Sequence, residues 1–188
     1  MTPDGSGLWE LALPAAATDS EAWASDGKAL YVTGYEKSSL EQITWKVGLD
    51  GNKVETLPNV CGFVWDASAD GNYLLSSRVT GKQVGIYEYS LRQHKCTELL
   101  PGILTFSVYL APDGQSFMYP VASRGEVTIY RQGWRDGKLV GTAHVALKVP
   151  FAFNLFYHGN AYDFSRDLST IVYARPGGQA DLYLLSQK

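Results

Sequence analysis

The sequence predicts an all-β fold built from one repeated unit of four antiparallel strands. Aromatic residues make up 13% of the 188 residues and accompany 19 glycines and 8 prolines, a combination typical of short strands joined by many turns. The apolar stretches are four to six residues long, which favours strands over helices. Two landmarks also return four times along the chain, and such a period indicates a repeat architecture.

The first landmark is an aspartate that follows a short apolar segment. Asp-Gly holds this place in "EAWASDGKALYV", "FVWDASADGNYLLS" and "VYLAPDGQSFMYP", while "AYDFSRDLSTIVYA" has Leu168 instead of glycine. The separations are 44, 43 and 54 residues, and the aspartates are Asp26, Asp70, Asp113 and Asp167. Because glycine adopts positive φ without a steric penalty, each landmark predicts a tight hairpin.

The second landmark is an aromatic strand 16 to 19 residues after each aspartate: "ITWKV", "GIYEY", "TIYRQ" and "DLYLL". In the second copy the four strands are predicted as "FVWDAS", "YLLSSR", "VGIYEYSL" and "CTELLP". The best helix candidate is "SSLEQITW", but its β-branched and aromatic end favours a strand.

Four-stranded units at a period near 43 residues predict a β-propeller whose blades pack face to face. The expected blades are 1–16 (partial), 17–59, 60–102, 103–149 and 150–188, all in one partial propeller domain. The last blade lacks a fourth strand unless "LWELAL" near the N-terminus supplies it and closes a ring of four. The favoured alternative is a piece of a larger propeller, and an incomplete ring predicts self-association through an apolar blade face.

The repeat resembles the TolB-type, WD40-like propeller repeat. "APDGQSFMYP" at 111–120 is close to it, and "ASDGKALYV" and "SADGNYLLS" are near copies. "NAYDFSRDLSTIVYARPGGQADLYLLSQK" resembles the C-terminal end of acidobacterial-type proteins in which a serine/threonine kinase or DNA-binding domain precedes a propeller. The resemblance implies a non-catalytic sensory or interaction module that binds a protein, peptide or glycan. A membrane-anchored parent would place this module outside the cytoplasm, although the sequence itself leaves the localisation open.

Charge and motif content exclude several functions. The formal net charge is −3 and the 16 basic residues are scattered, which argues against nucleic-acid binding. No apolar run approaches a membrane span and no signal peptide is visible, so we expect no direct membrane contact. The kinase motifs, Gly-x-Ser-x-Gly, His-Glu-x-x-His and the P-loop do not occur. We therefore predict no enzyme, cofactor or metal, with a propeller that gates or hosts a hydrolase or lyase site as the alternative.

The two cysteines, Cys61 and Cys96, lie in one repeat and lack the spacing of a metal site. They fall on strands predicted to be far apart. The sequence therefore favours free, inert thiols over a disulfide.

Two aspartates, Asp66 and Asp163, hold the same repeat position. They could form part of a carboxylate ring that binds a cation or a basic ligand, or they could accept hydrogen bonds from the backbone of the next blade or turn. The other two copies have Ala22 and Tyr109 at this position, which favours the second interpretation.

Aromatic residues supply the remaining candidates for ligand binding. Trp134 in "YRQGWRDGK" is expected either in a recognition loop or, preferably, as the cap of an edge in a solvated hairpin. Phe153, Phe156 and Tyr157 lie in the longest insertion, "ALKVPFAFNLFYHGN", which either covers the channel mouth or meets a partner. His158 follows them and, with Asp163 nearby, is a further candidate for catalysis or binding.

Overall fold

The computed structural model of the chain is all-β. It describes residues 12–50, 53–79, 83–123, 126–150, 162–165, 167–174 and 182–186. Within these ranges the strands form four antiparallel sheets, and each sheet keeps its strands in chain order. None of the described residues belongs to a helix long and apolar enough to cross a membrane.

Among the described residues, three sheets have four strands and one has three. The first contains β1 (Ala15–Trp23), β2 (Ala29–Glu36), β3 (Gln42–Gly48) and β4 (Val54–Leu57). The second contains β5 (Phe63–Ala67), β6 (Tyr73–Arg78), β7 (Gly85–Ser90) and β8 (Lys95–Pro101). The third contains β9 (Tyr109–Leu110), β10 (Ser116–Ser123), β11 (Glu126–Arg135) and β12 (Lys138–Pro150). The fourth contains β13 (Tyr162–Phe164), β14 (Thr170–Ala174) and β15 (Leu182–Ser186).

The strand predictions for the second copy are confirmed by β5 to β8. The ambiguous segment "SSLEQITW" is a turn at its start and enters strand β3 at Gln42. Most of "LWELAL" lies outside the described residues. The blade boundaries and the manner of ring closure therefore stay predictions.

The four aspartate landmarks form the same turn. Each carboxylate Oδ1 accepts a hydrogen bond from the backbone N–H two residues later, at 2.9, 3.1, 3.0 and 3.0 Å. The residue after each aspartate is left-handed, with φ of 67°, 69° and 63° for the glycines and 59° for Leu168. Hydrogen bonds, first of all from the Ser165 hydroxyl, lower the pKa of Asp167 to about 2. The repeat motif thus encodes a local hairpin geometry.

Replacing Gly27 with alanine should lower the free energy of unfolding by about 1 kcal/mol, because an L-residue pays that much to adopt a left-handed conformation. A Cβ at Gly27 meets no atom within 4 Å, so backbone strain is the whole effect. Urea denaturation of the variant measures it. Gly27→Asn should recover most of the loss, since asparagine tolerates positive φ. Equal midpoints for the alanine variant and the wild type would contradict this account.

The sheets pack face to face, as predicted for propeller blades. Tyr31 and Leu57 of the first sheet share an apolar cluster with Leu74 and Tyr89 of the second. The second and third sheets meet in a larger cluster, whose buried members are Leu75, Ile86, Leu99, Val108, Leu110, Phe117, Tyr119 and Trp134. Because each large apolar side chain contributes roughly 1.5–3 kcal/mol when buried, these clusters hold consecutive sheets together.

Backbone donors at the sheet interfaces are also paired with side chains of the neighbouring sheet. The N–H of Val64 on β5 donates to Oγ1 of Thr33 on β2 at 3.3 Å. The side chains of Thr33 and Thr44 are themselves hydrogen-bonded at 2.9 Å and are buried. The two buried threonine hydroxyls at this interface therefore have partners.

Cys61 and Cys96 form a disulfide with Cα atoms 6.1 Å apart, so the expectation of free thiols on distant strands is wrong. The reason is the path of the connector between β4 and β5. Tyr89 on β7 donates its hydroxyl hydrogen to the carbonyl of Pro58 at 2.8 Å, which holds the connector against the outer half of the second sheet. Cys61 then reaches Cys96 on β8.

Candidate functional site

An open cleft of about 490 Å³ lies at the end of the sheets where the aspartate turns are found. Its walls come from the first three of these turns and from the hairpin that joins β11 to β12. Residues from three consecutive sheets therefore converge on one space. This volume falls within the range of roughly 300–1,000 Å³ that is usual for ligand sites.

The most exposed aromatic residue of the cleft is Trp23, at the end of β1. Its side chain is 60% exposed, although the flanking Ala22 and Ala24 are buried. The equivalent residues three positions before the next two aspartates are Ala67 and Leu110, and both are buried. The first copy thus presents an indole where its sister copies bury a smaller apolar side chain.

The buried carboxylate of Asp66 also belongs to the cleft. The side chain accepts the N–H of Ala67 on Oδ1 and the N–H of Leu110 on Oδ2, both at 2.9 Å. Leu110 belongs to the first strand of the following sheet. The favoured expectation for Asp66, a hydrogen bond to the backbone of the next blade or turn, is met by Leu110 of the next sheet, and this bond fixes the carboxylate at the junction of two sheets.

Trp134 and Tyr73 form an aromatic wall, with ring centroids 5.6 Å apart in an edge-to-face arrangement. Trp134 is buried, and its Nε1–H donates to Oε2 of Glu88 at 2.8 Å. Burial raises the pKa of the Glu88 carboxyl, and the hydrogen bond from Trp134 acts in the opposite direction. The preferred expectation, that Trp134 caps an edge in a solvated hairpin, is wrong, because the side chain is buried in the cluster between the second and third sheets.

The hairpin after Trp134 packs directly on this carboxylate. Gly137 has φ of 75°, and a Cβ there would lie 2.9 Å from Oε1 of Glu88. Only glycine combines this backbone conformation with so close an approach. The hairpin therefore lies directly against the side chain of Glu88 in the second sheet.

Charged groups at the cleft are mostly acidic. Asp70, Asp136 and the buried Asp66 contribute carboxylates, and Arg135 contributes a guanidinium. Hydrogen bonds, first of all from the Ser68 hydroxyl, lower the pKa of the Asp70 carboxyl, so it is ionised at neutral pH. The Arg135 guanidinium donates a hydrogen bond to Oε1 of Gln115.

The structure brings together two of the predicted site residues, Asp66 and Trp134. Asp163 lies in β13, and nothing is described of its side chain. The remaining candidates lie outside the described residues: Phe153, Phe156, Tyr157 and His158.

Sequence reasoning missed Trp23. The one signal that could have found it is a departure from the repeat, a tryptophan where the sister copies have alanine and leucine. His94, which follows β7, and His144, on β12, are exposed. Within the described ranges no three His, Cys, Asp or Glu side chains are grouped as a metal site would require.

No family model and no curated protein matches the chain. Solved structures do match it. TolB from Acinetobacter baumannii is 18% identical with a TM-score of 0.58, over 90% of this chain and 52% of that one. A chain of the nidogen/laminin complex is 14% identical with a TM-score of 0.63, over 92% of this chain and 62% of that one. The Cps50 (Swd1) β-propeller domain of Myceliophteria thermophila is 13% identical with a TM-score of 0.55, over 90% of this chain and 52% of that one.

These similarities show the fold, which is a β-propeller, as predicted. The chain spans between half and two thirds of the length of the structures it matches. At such low identity the function does not transfer, because propellers support many unrelated activities. The resemblance to the C-terminal region of kinases stays a prediction.

Proposed function

We propose that this chain is a non-catalytic interaction module that binds a segment of a partner protein in the cleft at the turn end of its first three sheets. The observation that carries the proposal is Trp23, a tryptophan 60% exposed beside a preformed cleft. Tryptophan is enriched at protein interfaces and among the residues that dominate their binding energy. An indole left in water at this position is an anchor for a partner.

The rigidity of the cleft supports the same function. Asp66 is fixed by two backbone donors, and Trp134 is fixed by Glu88. A site whose side chains are already held in place loses little conformational entropy when a ligand binds. One of the similar structures is a chain of a complex between two proteins, nidogen and laminin. That similarity supports a protein partner without identifying it.

The same module would serve as the recognition region of a larger sensor, such as a serine/threonine kinase or another regulator. This part of the proposal depends on the resemblance of the C-terminal segment alone. Sequencing the gene around this segment tests it: a kinase domain and a membrane span upstream would support it, and a catalytic domain downstream of the propeller would contradict it. No contact in the cleft favours the alternative of a hydrolase or lyase.

Peptides selected by the purified chain from a random phage-displayed library should depend on Trp23. We expect Trp23→Ala to weaken their binding at least tenfold, because truncating a central aromatic anchor costs about 2 kcal/mol or more. Fluorescence polarisation of the labelled peptides measures the affinities. The matched control is Val54→Ala, which shortens another exposed apolar side chain outside the cleft.

Two results would contradict the proposed function. One is selected peptides that bind Trp23→Ala as tightly as the wild type. The other is a library that yields no binder while a glycan array gives Trp23-dependent binding, which would assign the cleft to a sugar instead.

A further inference from the structure

The cleft combines an exposed indole with carboxylates, and this combination suits one kind of side chain. We propose that the cleft binds an arginine side chain presented by a segment of the partner protein. The inference rests on the proposed function and deepens it by naming the chemistry of the bound group.

The aromatic side chains of the cleft offer a ring on which the guanidinium of the ligand can stack. The planar guanidinium of arginine stacks on aromatic faces, and tryptophan is the best of these faces. The ring of Trp23 is exposed in the cleft. Trp134 is buried, and its Nε1–H donates a hydrogen bond to Glu88. An incoming guanidinium therefore stacks on Trp23, with the edge of the Tyr73–Trp134 pair on another side of the cleft.

The acidic groups of the cleft favour a positively charged ligand. Asp66, Asp70 and Asp136 give the cleft three carboxylates against the single guanidinium of Arg135. Arg135 already has a partner, Gln115, outside the cleft. A cation is therefore attracted and an acidic segment repelled. Arginine presents five donors in a fixed plane and loses hydration more readily than lysine, so it fits a site that is part aromatic and part carboxylate.

The positions of the carboxylates suit one cationic side chain of the partner rather than a broad basic surface. Asp66 lies deep in the cleft with its oxygens directed by Ala67 and Leu110, while Asp136 stands on the exposed hairpin. One long side chain that enters past Trp23 meets carboxylates along its path.

Fluorine NMR of the chain labelled with 5-fluorotryptophan tests the inference with acetyl-arginine-amide as the probe. The Trp23 resonance, assigned with Trp23→Phe, should shift saturably, while that of the buried Trp45 should stay in place. The neutral analogue acetyl-citrulline-amide has nearly the same shape and should bind at least tenfold more weakly. Asp136→Asn should weaken binding about threefold, and the matched control Asp19→Asn, outside the cleft, should leave it unchanged.

Each other outcome counts against the inference. Equal binding of the citrulline analogue, or of acetyl-lysine-amide, would overturn the assignment of arginine. No shift of Trp23 with any probe, while selected peptides still need Trp23, would overturn it and leave the proposed function in place. Selected peptides that ignore Trp23 would remove the proposed function itself, whatever the probes show.

Discussion

Replacement of both Cys61 and Cys96 with serine is expected to lower the free energy of unfolding by about 4 kcal/mol. The disulfide closes a loop across a sequence separation of 35 residues, and cross-linking a loop of that length removes much of the entropy of the unfolded chain. Since a domain has only about 5–15 kcal/mol of stability in total, this single bond accounts for a large share.

Urea denaturation of the double variant beside the oxidised wild type measures the loss. The wild type in excess dithiothreitol is the matched control, because it lacks the bond but keeps both sulfur atoms. We expect the reduced wild type and the double variant to unfold at similar midpoints, well below that of the oxidised protein. Identical midpoints for all three would contradict a stabilising role for the bond.

Because the disulfide stabilises the fold, the stability of the chain depends on the redox state of its compartment. Disulfides persist in oxidising compartments and are rare in the reducing cytosol. In the cytosol the protein would have only the stability of the serine variant. The chain therefore has its full stability only in a compartment that keeps this bond oxidised.

Local features were predictable from the sequence, because a turn is determined by the residues that form it. Each aspartate accepts its hydrogen bond from the N–H two residues later, and the left-handed residue lies between them, so the whole turn spans a few positions of the chain. The repeat of these turns gave the strands and the propeller. The type of contact that Asp66 makes was also predictable, since its repeat position indicated a hydrogen bond to the backbone of the next blade or turn.

Features that depend on how consecutive sheets stack were not predictable in the same way. The disulfide required the path of the connector that Tyr89 holds in place. Trp134 and Glu88 are 46 positions apart in the sequence, and no local pattern connects them. The residue type of Trp23 differs from that of its sister positions, which the sequence shows. Its exposure depends on how the neighbouring sheets form the cleft around it, which the sequence does not show.

The second large effect is expected for Trp134→Phe, which should lower the free energy of unfolding by about 3 kcal/mol at neutral pH. Phenylalanine leaves a small void in the cluster between the second and third sheets. It also leaves the buried Glu88 carboxyl without its N–H donor, and hydrogen bonds to charged groups contribute about 1.5–3 kcal/mol. Trp45→Phe is the matched control, because Trp45 packs in an apolar cluster with Val32 and Val47.

The pH dependence separates the two causes of that loss. Burial raises the pKa of Glu88 above its usual 4.5, so the contribution of this group to stability is complete below pH 4.5 and is lost as the pH rises through the folded-state pKa. Without the Trp134 donor the folded-state pKa rises further, and the loss must grow from pH 4.5 towards pH 8. Trp45→Phe should lower the free energy of unfolding by the same amount at pH 4.5 and at pH 8. In a Glu88→Gln background, which has no ionisable group at this position, the cost of Trp134→Phe should become independent of pH. A cost of Trp134→Phe that is already independent of pH in the wild-type background would show that the hydrogen bond contributes nothing, and that Trp134 stabilises the interface by packing alone.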